Sequence, residues 1–207
     1  MSDSLTPQDE FLLKEYESAT ELTNHIDELR NKLTGFYLTF AGVAVAGVAI
    51  LIKDEAKSKV FDRVDGVIAI LLLVVALTGW IVVLGLARLR RVQIEYFGII
   101  NSIREHFLGE DYDLWNVVKV SRQTLPVPNK YSGSYMWLLL VILSSSSLFM
   151  FSVYLVFVKV FSCLRPLYGG LAALGGFVLF SLVQDFSYFR WSKSAIRPSY
   201  SAQNSPF

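Results

Sequence analysis

Residues 66–87 read GVIAILLLVVALTGWIVVLGLA and carry no charge. A helix of about 20 apolar residues spans the hydrocarbon core of a bilayer. Three further runs share that character: residues 35–52 (GFYLTFAGVAVAGVAILI), 136–158 (MWLLLVILSSSSLFMFSVYLVFV) and 168–184 (YGGLAALGGFVLFSLVQ). Lipid offers no hydrogen-bond partner to the backbone, so uninterrupted runs of this kind cross as helices. The first and fourth are short, and apolar flanks such as Leu164 and Phe186 can extend the fourth. The chain is therefore expected to be an all-α integral membrane protein with four transmembrane helices.

Around these spans lie a polar N-terminal segment (1–34), a central segment (88–135) and a tail (185–207). Residues 1–31 are polar and acidic, without the basic start and apolar core of a signal peptide, so the first span is expected to stay in the mature protein. Those three segments hold 13 of the Lys and Arg residues, and the two opposite connections hold 6. Arg88, Arg90 and Arg91 follow the second span directly. The positive-inside bias places both termini and the central segment in the cytoplasm of a bacterial inner membrane. Cys163, the single cysteine, excludes an intrachain disulfide framework and a cysteine-based zinc cluster.

The polar segments are expected to continue the first two spans as helices. Thr6-Pro7-Gln8-Asp9 supplies an N-cap hydroxyl, a proline at the first helical position and an acid at the third. From there Ala19, Ile26, Leu33, Phe40 and Gly47 recur every seven residues, and Leu22, Leu29, Phe36, Val43 and Ile50 form a companion series. One helix from Pro7 to Ile52 follows, and its seam packs either within its own chain or against neighbouring subunits. Leu89, Val92, Tyr96, Ile99, Ile100, Ile103 and Phe107 continue the second span at helical spacing, so the two extensions form an antiparallel cytoplasmic hairpin. Beyond Gly109, residues 110–123 suit a short helix and Leu125-Pro126-Val127-Pro128 an extended stretch. Residues 186–194, FSYFRWSKS, suit the membrane surface, and the last residues read as disordered.

No catalytic, metal or cofactor constellation emerges, so no enzyme is expected. Asn101 and His106 fit the N-x4-H spacing of HEPN ribonucleases, a short pattern common by chance, against the reading of an ordinary exposed helix face. Ser144, Ser145, Ser146 and Ser147 lie at the centre of the third span and cover every helix face. They are either tolerated packing, bonded to the preceding turn, or the polar lining of a pore. Phe36 and Phe40 on the first span are the candidates for an apolar gate. Arg88, Arg90, Arg91, Arg104 and Lys119 are the basic concentration, read as orientation signal with anionic lipid or as contact for an anionic ligand or partner. Ile26, Leu29 and Leu33 are expected at a helix interface. Gly42 and Ala46 on the first span and Gly176 on the fourth permit close helix approach, within the chain or between subunits. Asp185 is expected as a solvated interfacial acid within reach of Arg88, with a gating role as the other reading.

The layout is a long N-terminal helix entering the first span, then two hairpins with a cytoplasmic insertion between them. It resembles the compact four-span membrane components of bacterial anti-phage defence systems such as Kiwa and Hailong. The resemblance lies in layout and carries no motif, so it assigns no residue a role. It implies a homo-oligomer, tetrameric as a first guess, that senses or disturbs the inner membrane alongside a soluble cytoplasmic partner protein or a nucleotide ligand. Direct sequence-specific binding of nucleic acid is not expected, since the formal net charge is +1. Two functions fit: an oligomeric membrane effector or sensor with a gated pore, and a non-conducting anchor or scaffold for the partner.

Overall fold

The computed structural model describes residues 6–55, 61–108, 133–160 and 166–193. They form four helices: α1 (Pro7–Glu55), α2 (Phe61–Leu108), α3 (Gly133–Val160) and α4 (Pro166–Lys193). Each is long and apolar enough to cross a membrane, and no strand occurs among the described residues. The expected features of residues 110–128, Cys163 and residues 194–207 lie outside the described residues. Residues 186–193, expected along the membrane surface, instead continue α4 without a break and turn Tyr188 and Ser192 inward.

α1 starts where its capping chemistry directs. The Asp9 amide donates to Thr6 Oγ1 at 3.2 Å, and Asp9 Oδ2 accepts from the Thr6 amide at 3.1 Å and from its hydroxyl at 2.6 Å. Pro7 fills the first helical position, where its missing N–H costs no bond. These bonds from Thr6 hold the Asp9 carboxyl below the usual carboxylate range. At about 1.5 Å per residue, α1 and α2 are each over 70 Å long and run well past their apolar segments.

The two long helices pair antiparallel along most of that length. Asp9 meets His106 at 3.7 Å, Tyr16 meets Arg104, Asp27 meets Gln93, and a Cβ on Gly85 would touch Leu33, each pair stepping down one helix as it climbs the other. α2 is central, with its largest interfaces against α3 and α1. α4 packs on α3 and, less extensively, on α2, whereas α1 touches α3 only lightly. Ile68, Leu72, Val75, Val83 and Leu86 of α2 meet Leu138, Val141 and Ile142 of α3 in the core. Phe149 and Phe180 stack at 4.5 Å between α3 and α4, and Trp80 of α2 meets Phe180 edge-on at 6.1 Å.

Among the described glycines, the tightest surroundings are at Gly79. A Cβ there would lie 2.5 Å from Ser145 Cβ and 2.6 Å from the Tyr37 hydroxyl, so α1 and α3 both press on the α2 backbone. Gly98, farther along the same helix, has nothing among the described residues within 4 Å of such a Cβ. Gly79→Val should therefore destabilise the bundle by about 1–3 kcal/mol through overpacking. Gly98→Ala should be neutral or stabilising, since it improves helix propensity without a clash. Thermal unfolding in detergent reads both, and equal stability of the two variants would contradict this packing.

Candidate functional site

In the apolar part of the bundle, polar groups from three helices gather around the Gly79 notch. Tyr37 (α1), Ser145 (α3) and Gln184 (α4) are fully buried. The Ser145 hydroxyl lies 3.0 Å from Gln184 Oε1 and 3.1 Å from the Ile142 carbonyl, and its one proton serves one of them at a time. Nearby, Ser152 of α3 donates to the Ala69 carbonyl of α2 at 2.8 Å. The Tyr135 hydroxyl donates to Asp185 at 2.8 Å, which gives that acid a partner across the α3–α4 interface. These contacts tie the helices together in a medium where packing and hydrogen bonds, rather than water exclusion, hold helices together.

The four serines divide. Ser145 and Ser146 are sealed inside the subunit. Ser144 donates to the Leu140 carbonyl at 2.7 Å and Ser147 to the Leu143 carbonyl at 2.8 Å, the back-bonding that lets serine sit in an apolar helix. Ser144 and Ser147 also face an open groove of about 720 Å³ whose α1 wall includes Ala41, Gly42, Val45 and Ala49. The run is thus not one polar stripe.

α1 has two faces with different periods. Its buried positions are Ala19, Thr23, Ile26, Arg30, Thr34, Tyr37, Ala41 and Val48. Ala19, Arg30 and Ala41 are spaced by eleven, as are Ile26, Tyr37 and Val48, a repeat of about 3.67 residues per turn that suits a nearly straight helix. The companion heptad series is instead turned outward: Leu22 is 36% exposed, Leu29 38%, Phe36 68%, Val43 68% and Ile50 63%. The expected seam therefore splits. Ile26 packs against α2, Leu33 is partly buried, and Leu29 faces away. A Cβ added to Gly42 would have nothing within 4 Å and Ala46 is exposed, so the small-residue face of α1 is unused inside the subunit. Gly176, by contrast, lies under Phe149, where a Cβ would sit 3.4 Å from its ring. Phe36 and Phe40 stack on the outer surface of α1 with centroids 6.4 Å apart and rings nearly parallel.

The basic residues scatter. Arg88 is exposed, Arg91 pairs with Glu95 at 3.3 Å, and Arg104 donates to the Tyr16 hydroxyl at 2.8 Å. Lys119 lies outside the described residues. Arg90 turns inward and donates to Gln93 Oε1 at 2.8 Å. Arg30 donates to the same oxygen at 3.3 Å and to Asp27 at 3.1 Å, while Gln93 Nε2 donates to Asp27 at 3.0 Å. Arg30 and Gln93 were not singled out by the sequence, although both sit on the inward faces of their helices. Asn101 is buried between the helices and His106 is exposed beside Asp9, so they share no site and the former is not on a solvated face. Among the described residues no group of His, Cys, Asp and Glu could hold a metal ion.

A family model described as the octameric membrane protein family (8xMP) matches residues 13–162. No curated protein and no solved structure matches the chain. The two faces of α1 make separable demands on an oligomer. Ile26→Asp places a charge in the α1–α2 core and should cost several kcal/mol of subunit stability. Leu29→Asp should leave helix content and thermal unfolding of the subunit near wild type, and reduce its assembly mass in detergent. Light scattering together with circular dichroism distinguishes them. Full assembly of Leu29→Asp would remove Leu29 from the interface between copies.

Proposed function

The chain belongs to the octameric membrane protein family, and from that premise we propose that eight subunits form a ring around a gated membrane pore, with α1 innermost. The carrying observation is the outward heptad of α1. Leu22 lies about 20 Å along the helix from Gly35, where the apolar run begins, so acyl chains do not reach it. Phe11 and Leu13, farther out, are exposed as well. An apolar face continued outside the membrane calls for protein, and another copy of α1 supplies a matching heptad.

Subunit number then bears on function. Eight touching helices of about 10 Å diameter in a closed ring leave an axial opening of about 16 Å, whereas four leave about 4 Å. Eight, the number in the family's description, replaces the four of the layout resemblance in this proposal. Such an axis is filled by side chains, lipid or water. Phe36 and Phe40 project from the outward face of α1 and would narrow it to an apolar constriction that closes by dewetting. The spans hold no acid or base to select strongly by charge, so selectivity would be modest.

The basic bias of the connections supports an inner-membrane orientation with both termini and the α1–α2 hairpin in the cytoplasm. The hairpin is the part available to a soluble partner or a nucleotide. The layout resemblance supports a role as an effector in anti-phage defence, acting without catalysis. The alternative is a non-conducting scaffold, and the sealing of Ser145 and Ser146 inside the subunit favours it.

Ion flux from proteoliposomes separates the two. In rings that still assemble, Phe36→Ser with Phe40→Ser should raise basal flux about tenfold or more, equivalent to about 1.4 kcal/mol of barrier. No flux from this variant, in rings that assemble fully, would leave the scaffold as the better reading.

A further inference from the structure

At the end of the bundle where α1 and α2 emerge from their apolar segments, all four helices line a half-open cavity of about 270 Å³. Arg30, Asn31 and Thr34 of α1, Trp137 of α3 and Tyr188 of α4 line it. Arg30 precedes Gly35 by five residues, about 7 Å along the helix. Trp137 opens the third apolar run and Tyr188 follows the fourth. The cavity therefore lies at the depth of lipid headgroups, where amphipathic aromatic side chains concentrate.

Its chemistry suits an anion. Arg30 and Arg90 are both buried, and both donate to Gln93 Oε1. Asp27, which also lines the cavity, accepts from Arg30 and Gln93. The network thus joins two buried guanidiniums, the Gln93 amide and the half-exposed Asp27 carboxylate at the edge of the cavity. Thr34 is almost completely buried, and its hydroxyl has no hydrogen-bond partner among the described residues. A guanidinium, a hydroxyl and the Asn31 amide are the donor types that phosphate oxygens accept from.

We propose that this cavity binds a singly charged phosphate group through Arg30 and Thr34. The nearby Asp27 carboxylate disfavours a second negative charge, which fits a phosphodiester better than a phosphate monoester. The phosphodiester of an anionic phospholipid and a soluble phosphate present the same oxygens, and experiment distinguishes them. The site stands independently of conduction, because its walls come from one subunit.

Full-length protein purified in detergent is titrated with phosphatidylglycerol, with the diacylglycerol of the same acyl chains, which lacks the phosphate, and, separately, with dimethyl phosphate. Native mass spectrometry counts the ligand retained. Retention of phosphatidylglycerol roughly tenfold tighter than the phosphate-free diacylglycerol, lost in Arg30→Gln and in Thr34→Val and partly restored in Arg30→Lys, supports the site with lipid as its source. Dimethyl phosphate binding with the same sensitivity, without a preference for phosphatidylglycerol over the diacylglycerol, supports the site with a soluble source. If Arg30→Gln fails to assemble, Thr34→Val, which removes only the hydroxyl, decides. Wild-type protein that binds dimethyl phosphate not at all and phosphatidylglycerol no tighter than the diacylglycerol overturns the proposal. So does a preference unchanged by Thr34→Val.

Discussion

A straight α-helix cannot keep a seven-residue series on one line. Each heptad drifts by about 20° on a helix of 3.6 residues per turn. Along α1 the drift accumulates over several heptads, and the helix resolves it by using two faces. The elevenfold series packs against α2, from Ala19 to Val48. The heptad series from Leu22 to Ile50 is left outside the subunit. Much of the organisation follows: a hairpin held by one face, and a second apolar face that extends beyond the membrane. An isolated subunit exposes to water the part of that face outside the membrane, Leu22 and Leu29, so a chain of this kind gains from association with copies of itself.

The interior is fixed by a different constraint. Without water exclusion to hold helices together inside lipid, close backbone approach and internal hydrogen bonds take on that role. Gly79 admits Tyr37 and Ser145 to the α2 backbone, and Ser145 reaches Gln184 on α4. At the charged end, the Arg30–Gln93–Asp27 network links the same α1 and α2 faces. Polar contacts therefore bracket an apolar core, and they leave α1 only lightly attached to α3. The groove between those two helices, lined by Gly42 and Ser147 among others, is left open within the subunit.

Much of the fold was legible because its signals are local. Four uncharged runs name four spanning helices, and Thr6 with Asp9 marks the start of α1. Pairing of α1 with α2 followed from apolar spacing on both. The partition of the seam was not legible, since a heptad and an elevenfold series share Ala19 and Ile26 and separate only when the partner helix fixes the rotation. The fate of Ser144 to Ser147 was equally hidden, because four consecutive residues occupy every face and only packing decides which two turn inward. The basic cluster was a cluster in sequence alone. Helical rotation sends Arg88 outward and Arg90 inward, to meet an arginine sixty positions earlier across the hairpin. Tertiary placement also made Asn101 a buried residue, which a polar side chain near the end of an amphipathic helix does not announce.

The central claim is that the outward heptad of α1, not its buried face, meets a neighbouring subunit. The chain's single cysteine, Cys163, makes a direct measurement simple. In a Cys163→Ser background, Leu22→Cys, Leu29→Cys, Thr23→Cys and Ile26→Cys are oxidised in native membranes, and covalent dimers are quantified on non-reducing gels. The account predicts efficient dimer formation at positions 22 and 29 and little at 23 and 26. Dimers at 23 and 26 with none at 22 and 29 would contradict it.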